Sequence, residues 1–320
     1  MKKILCKENL CWLLLIVFGY VLLVGLSSAG IIDAVLQTVL QTIMINIILA
    51  VSLNLIIGVC GQFSLGHAGF MCVGAYCAGI MIQQIGGLPG LFAGIAIGMV
   101  INAVLALIVA IPTLRLRGDY LAIATLGFGE IIRIIVLNME ITNGAAGLVL
   151  PKVVTLSVLY IMLVLAIIII VNFGRSAPGR ACISIREDEI ASEAMGINTT
   201  KYKIIAFVIG ALIATWAGAL YAGNFYIIKP DMFTYNKSID VLVIVVFGGM
   251  GSITGSVIAA VVLGLINSFL QSFSGIRMII YGVALILIMI FRPSGLLGTK
   301  EFTFSELLSK FKKEVKSWVF

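Results

Sequence analysis

His67 is the single imidazole of the 320-residue chain, and it lies three residues after Ser64 in Gly61–Phe70 (GQFSLGHAGF). A serine beside a histidine could in principle give a nucleophile and its base, and a hydrolase working inside the membrane would need His67 for that role. No third group orients the pair, however, and G-x-S-x-G and H-E-x-x-H are both absent. His67 therefore reads first as a hydrogen-bonding group at a helix end. Glu130 and Arg133 stand at i, i+3 inside an apolar run, a spacing at which they can pair. Unpaired, each would be costly there; paired, they serve structure, or else line a passage. The densest charge is Arg186, Glu187, Asp188, Glu189 and Glu193, five charges within eight residues of a chain that is 11% charged. No G-x-x-x-x-G-K-[ST] is present, so this chain does not cradle ATP phosphates. The six cysteines are scattered without a C-x-x-C, which suits small packed residues better than a disulfide or metal framework.

The elements that must hold these residues are hydrophobic. Apolar side chains make up 61% of the chain, and the mean hydropathy is +1.19. That excludes a soluble globular domain. At about 20 residues per crossing there is room for an all-α bundle of about ten, alternatively eight, membrane spans. The net charge of +7 is no nucleic-acid footprint, because the basic residues fall between the apolar runs. With ten spans, sixteen of the 21 Lys and Arg lie on one side, four on the other and Arg133 within the membrane. That bias predicts that both termini and the charged 174–203 loop are cytoplasmic.

In order, the N-terminal run Cys11–Leu26 is longer than the core of a signal peptide and reads as a retained first span. The second span (34–57) carries Gln37, Thr38, Gln41, Thr42, Asn46 and Ser52 within half of its circumference, with Asn54 outside. Such a face must meet protein or water, so this helix is expected inside the bundle, bonded to its neighbours or lining a path. Gly58–Gly69, containing Gln62, Ser64 and His67, is too rich in glycine for a stable helix interior. Spans follow at 68–85, 91–111, ended by Pro112, and 120–138, capped by Asp119. The next, 156–171, is apolar on every side and predicted to face lipid. The 204–223 span has Gly210, Ala214, Gly218 and Ala222 at every fourth position and is predicted to sit centrally. Ile239–Phe247 is too short to cross alone and runs into a second glycine-broken segment ending at Gly255. Two last spans (256–272 and 277–291) lead to Arg292–Phe320, of which 299–320 is a basic amphipathic tail. Within the charged loop a helix over Arg186–Met195 would put Ile190, Ala191, Ala194 and Met195 on one face. Arg186, Glu189 and Glu193 would lie on another. Gly196 fits the left-handed residue that closes such a helix, and Asn198 or Thr199 can cap the next.

Five blocks together resemble a known family: Gly61–Phe70, Thr113–Arg133 (TLRLRGDYLAIATLGFGEIIR), Arg186–Asn198 (REDEIASEAMGIN), Phe247–Gly255 (FGGMGSITG) and Arg292–Gly298 (RPSGLLG). They are similar to the LivM-type permease, a membrane subunit of the bacterial high-affinity branched-chain amino acid ABC importer. The resemblance implies a permease domain over residues 1–298 in the bacterial cytoplasmic (inner) membrane. The expected partners are a second related permease, two ATPase subunits that bind the ATP and an extracytoplasmic substrate-binding protein; this chain itself would hold no cofactor and no metal. It further implies that Arg186–Asn198 is the loop docking into the ATPases, with Arg186, Glu187, Asp188, Glu189, Glu193 and Gly196 as coupling residues. Against the general importer signature (Glu-Ala-Ala, three residues, Gly) this chain reads Ile190-Ala191-Ser192 before Gly196, which leaves the main docking side chain open. The pathway candidates are Thr42, Asn46, Asn54, Gln62, Ser64, His67, Glu130 and Arg133. Urea, short amides or other amino acids are alternative cargoes, and a stand-alone secondary carrier is the alternative mechanism.

Overall fold

A chain this apolar must satisfy its backbone N–H and C=O groups within each segment, and it does so as α-helix nearly throughout. The computed structural model describes residues 2–28, 30, 33–113 and 118–270, and beyond them 282–283, 286, 295–296 and 298. The helices are α1 (Lys2–Ser28), α2 (Ala34–Asn54), α3 (His67–Ile85), α4 (Gly87–Thr113), α5 (Asp119–Asn138) and α6 (Leu156–Arg175). They continue as α7 (Ala177–Glu187), α8 (Glu189–Ala194), α9 (Thr199–Asn224), α10 (Tyr235–Gly248) and α11 (Ile253–Phe269). A two-residue antiparallel ladder, Leu148–Val149 against Ile227–Ile228, ties the segment after α5 to the segment after α9.

Six helices are long and apolar enough to cross a membrane: α2 with its extension to Val59, α3, α4, α5, α6 and α9. The pair α10–α11, bent by 119°, makes a seventh if counted as one span, and Leu14–Ser27 within α1 is a shorter apolar stretch. Among the described residues the count is thus six or seven, and the expected ten, or eight, for the whole chain is not confirmed. The expected 277–291 span apart from 282–283 and 286, the 299–320 tail, Arg115 and Arg117 lie outside the described residues.

The centre is α2, with 89% of its apolar window inside the protein against 33% for α5 and for α6. Around it lie α6, α9, α10 and α11, and α3 and α4 pack tightly on α9 and on each other. A Cβ on Gly74 would stand 2.7 Å from the Thr215 Cα, so the α3 and α9 backbones touch there and no larger residue fits. Asn102 of α4 spans the same junction, its Nδ2 donating to Phe70 O at 2.8 Å and to Thr215 Oγ1 at 2.5 Å. The small residues predicted to bury α9 do so: Gly210, Ala214, Gly218 and Ala222 are all buried.

Four local expectations change. Helix α6 does not face lipid all round: Leu159, Met162, Leu163, Ala166 and Ile170 form a buried stripe, packed toward α2. With apolar residues on every side, the sequence had no polar face to reveal that stripe. Pro112 lies inside the last turn of α4. Gly118, at φ +58°, rather than Asp119, stands at the N-cap of α5. Helix α7 lies inside what reads as loop, started by Ser176, whose Oγ accepts from Gly179 N at 3.3 Å, and by Pro178 in its first turn.

Candidate functional site

Two interruptions of the helical backbone meet at one point. Helix α2 loosens into a π-turn, Leu55–Val59, and the chain leaves helical geometry before α3 begins at His67. Helix α10 stops at Gly248, and α11 starts only at Ile253. Gly58 of the first break lies on Gly251 of the second: a Cβ on Gly58 would be 2.8 Å from the Gly251 Cα. Backbone groups freed by such breaks need partners away from water. Asn54, fully buried at the end of α2, supplies them. Its Oδ1 accepts from Gly251 N at 2.8 Å, and its Nδ2 donates to Ser252 O at 2.8 Å and Ser256 Oγ at 3.0 Å.

Arg186, near the C-terminal end of α7, reaches this junction from the charged loop. Its Nη1 donates to Gly58 O at 2.6 Å, while Nε and Nη2 hold Glu187 Oε1 at 3.1 and 2.5 Å. The same Nη1 is 2.8 Å from where a Cβ on Gly251 would stand, so one guanidinium touches both breaks. Other contacts converge nearby. Leu65 N donates to Thr125 Oγ1 (3.0 Å), Ala68 N to Ser238 Oγ (2.9 Å) and Leu296 N to Phe247 O (2.8 Å). The five sequence blocks, spread over more than two hundred residues, are therefore neighbours around these two breaks.

The loop itself is fastened at every turn. The single helix predicted over Arg186–Met195 is two, because Asp188 is extended (φ −155°, ψ 112°) and its Oδ1 accepts from Ile190 N (2.9 Å) and Ala191 N (3.0 Å). A carboxylate that caps a new helix ends the old one, so Arg186 no longer shares a face with Glu189 and Glu193. Glu189 Oε1 pairs with Lys203 Nζ at 2.5 Å, and Glu193 Oε1 accepts from Thr199 Oγ1 at 2.7 Å. Gly196 takes the left-handed conformation (φ +83°), and Asn198 Oδ1 caps α9 by accepting from Lys201 N at 3.0 Å.

A family model described as the permease component of the branched-chain amino acid transport system matches residues 35–291. Over 306 residues the chain is 35% identical to the high-affinity branched-chain amino acid transport system permease protein LivM of Salmonella typhimurium, spanning 84% of this chain and 70% of that one. The LivM protein of Escherichia coli is 34% identical over the same length, with the same two shares. The chain belongs to this permease family. Part of the permease is also similar to the E. coli permease protein LivH, 32% identical over 148 residues, 45% of this chain and 48% of that one. No solved structure matches. The relatives are transport permeases rather than enzymes, and the apolar helices make the permease an integral membrane protein.

Its pathway candidates divide into three groups. Asn54, Gln62, Ser64 and His67 gather at or beside the first break. His67 Nε2 bonds Ser52 Oγ at 2.7 Å, so its serine partner is Ser52 rather than Ser64. Ser64 Oγ, both amide atoms of Gln62 and His67 Nδ1 are buried and find no partner among the described residues. Thr42 and Asn46 sit farther along α2, Asn46 about 12 Å from Asn54 at 1.5 Å per residue. Thr42 bonds back to Thr38 O at 2.8 Å, and Asn46 Oδ1 accepts from Lys237 Nζ at 2.9 Å. Glu130 and Arg133 form the third group and do pair, Oε2 to Nε at 2.7 Å. Glu130 Oε1 also accepts from Tyr235 N at 2.9 Å, and Arg133 Nη1 lies 3.4 Å from Asp231 Oδ1. Helix α10 has no side-chain cap of its own at Thr234, so Glu130 supplies one from α5. Ser52, Ser238 and Arg186's hold on Gly58 were not singled out for these roles by sequence. A serine inside an apolar run carries no mark of what it bonds. Among the described residues no group of His, Cys, Asp and Glu could hold a metal ion.

Proposed function

We propose that this permease forms half of the translocation pathway of a bacterial ABC importer for branched-chain amino acids, with two ATPase subunits supplying the energy. A second, related permease completes the pathway, and an extracytoplasmic protein delivers the substrate. Both termini and the 174–203 loop are cytoplasmic, on the strength of the Lys and Arg bias. The observation that carries this reading is the Arg186–Gly58 bond: a side chain of the charged loop holds the point at which both helix breaks meet. The breaks lie within membrane-spanning elements, where irregular backbone is tolerated only against protein or a water-filled path. The buried, partnerless Gln62, Ser64 and His67 atoms suit the second of these.

Docking of the ATPases would displace α7 and α8, and with them the junction. That gives the two states of the pathway different contacts, as alternating access requires. The test is uptake of labelled leucine into proteoliposomes that hold this permease, its paired permease and the ATPases, with binding protein outside and ATP inside. Uptake should need every component. Leucine entry under an ion gradient with this chain alone would make it a secondary carrier. Entry of urea or acetamide, with leucine excluded, would reassign the cargo and leave the mechanism standing.

A further inference from the structure

A lysine amine lies half-way along the central helix. Lys237, in the first turn of α10, donates from Nζ to Asn46 Oδ1 at 2.9 Å. Asn46 is at the midpoint of the span Ala34–Val59. At 1.5 Å per residue it stands about 18 Å from one end and about 20 Å from the other. A cation at that depth is costly, and such residues mark a path for a substrate or ion. The place is open: Lys237, Asn46 and Thr42 are half-buried, and Thr38, a further turn back on the same side of α2, is exposed. Polar groups also continue from it toward the first break. Ser238 Oγ accepts from Ala68 N at 2.9 Å, beside His67, whose Nε2 bonds Ser52 Oγ.

The group that holds the amine is a neutral carbonyl. An ammonium binds a carboxylate more strongly than an amide oxygen, so Asn46 positions Lys237 and would give it up to an anion. Asp240, three residues on in α10 and exposed, brings the opposite charge within one turn. One turn of helix thus presents both signs, as a free amino acid does. Helix α10 is also half of the bent pair, and broken helices near mid-membrane are where transporters hold their cargo.

We infer that Lys237 receives the α-carboxylate of the amino acid in transit, exchanging the Asn46 carbonyl for it. This inference rests on the importer reading and deepens it. Urea and acetamide have no carboxylate, so the same residue favours an amino acid as cargo.

The test uses the reconstituted importer with labelled leucine. Asn46→Asp sets a fixed carboxylate against the amine with little change of shape. A purely structural Lys237 would be held better by it, whereas a carboxylate receptor would be occupied by it. Import should fall at least tenfold, with no fall in the unfolding midpoint in detergent. Lys237→Met should also lower import at least tenfold, with ATP hydrolysis stimulated by loaded binding protein within twofold of the unaltered complex. Lys237→Arg, which keeps the charge, should retain at least a third of the import. If Lys237→Met does not fold, Asn46→Asp decides alone. Normal import by Asn46→Asp or by a folded Lys237→Met would overturn the inference and leave the importer reading intact. So would import by Lys237→Arg no better than by Lys237→Met. Failure of the unaltered complex to import leucine would overturn both.

Discussion

Arg186→Ala is the sharpest perturbation of the proposed coupling. The guanidinium is 27% exposed, and its bond to Gly58 O is charge-assisted and short, 2.6 Å. Hydrogen bonds to a charged group contribute about 1.5–3 kcal/mol. The second contact adds little, since Glu187 is 69% exposed and a pair of that kind is worth roughly 0–1 kcal/mol. Removing the side chain should therefore cost about 2–3 kcal/mol of linkage between loop and junction. At 1.4 kcal/mol per decade that corresponds to a shift of roughly 30- to 150-fold between the gripped and released states. In proteoliposomes, leucine imported per ATP hydrolysed should fall by at least tenfold, while ATPase subunits still co-purify with the variant. Arg186→Lys keeps the charge but not the fork that grips Gly58 and Glu187 at once, and should fall between the two. A wild-type ratio in Arg186→Ala would refute transmission through this bond. Loss of the ATPases from that variant would show Arg186 to be a docking contact instead.

Other substitutions follow from the same geometry. Asn54→Ala removes three buried hydrogen bonds; at about 0.6 kcal/mol each within a membrane protein, it should cost roughly 2 kcal/mol, read as a lowered unfolding midpoint in detergent. Glu130→Gln weakens the cap on α10 and its pair with Arg133, so it should reduce folded yield at unchanged substrate selectivity; altered selectivity at full yield would put Glu130 on the pathway instead. Glu189→Lys with Glu193→Lys sets a cation against Lys203 and removes the acceptor for Thr199, so uptake should vanish while the amount of permease in the membrane stays the same.

What the sequence makes legible is what local pattern encodes. The apolar run predicted as 68–85 is α3, His67–Ile85, and small residues at every fourth position place α9 at the centre. Glycine density marks both places where helix gives way. What it cannot encode is that Gly58 and Gly251, 193 positions apart, rest on one another, since nothing near either residue specifies the other. Asp188 is a different case. An aspartate followed by a helical run is an N-cap signal, but inside a cluster of charges it reads as part of one solvated face. The acidic residues draw attention as docking groups for the same reason, and the structure shows each of them bonded within the permease. Uniformly apolar helices hide the most, as α6 does, because burial leaves no trace where there is no polar alternative.

Two routes lead from the loop into the bundle, and they do not carry motion equally. The first is α9, fastened to the loop by the Glu189–Lys203 pair. Its backbone presses on α3 at Gly74 and Thr215, and Asn102 clamps α4 to the same place. A contact between backbones leaves no side chain to rearrange, so α9 cannot slide past α3 by small steps; the three helices move as one body. The second route is Arg186, which holds the breaks through one hydrogen bond to Gly58 O, in a stretch already free of regular α-helix. Hydrogen bonds of that kind exchange partners at much lower cost than packed backbones part. On the proposed coupling, relative motion driven from the loop would therefore be concentrated at the Asn54–Gly58–Gly251 junction. For that reason Arg186→Ala should uncouple transport without loosening the bundle, whereas Gly74→Ala should impair folding first.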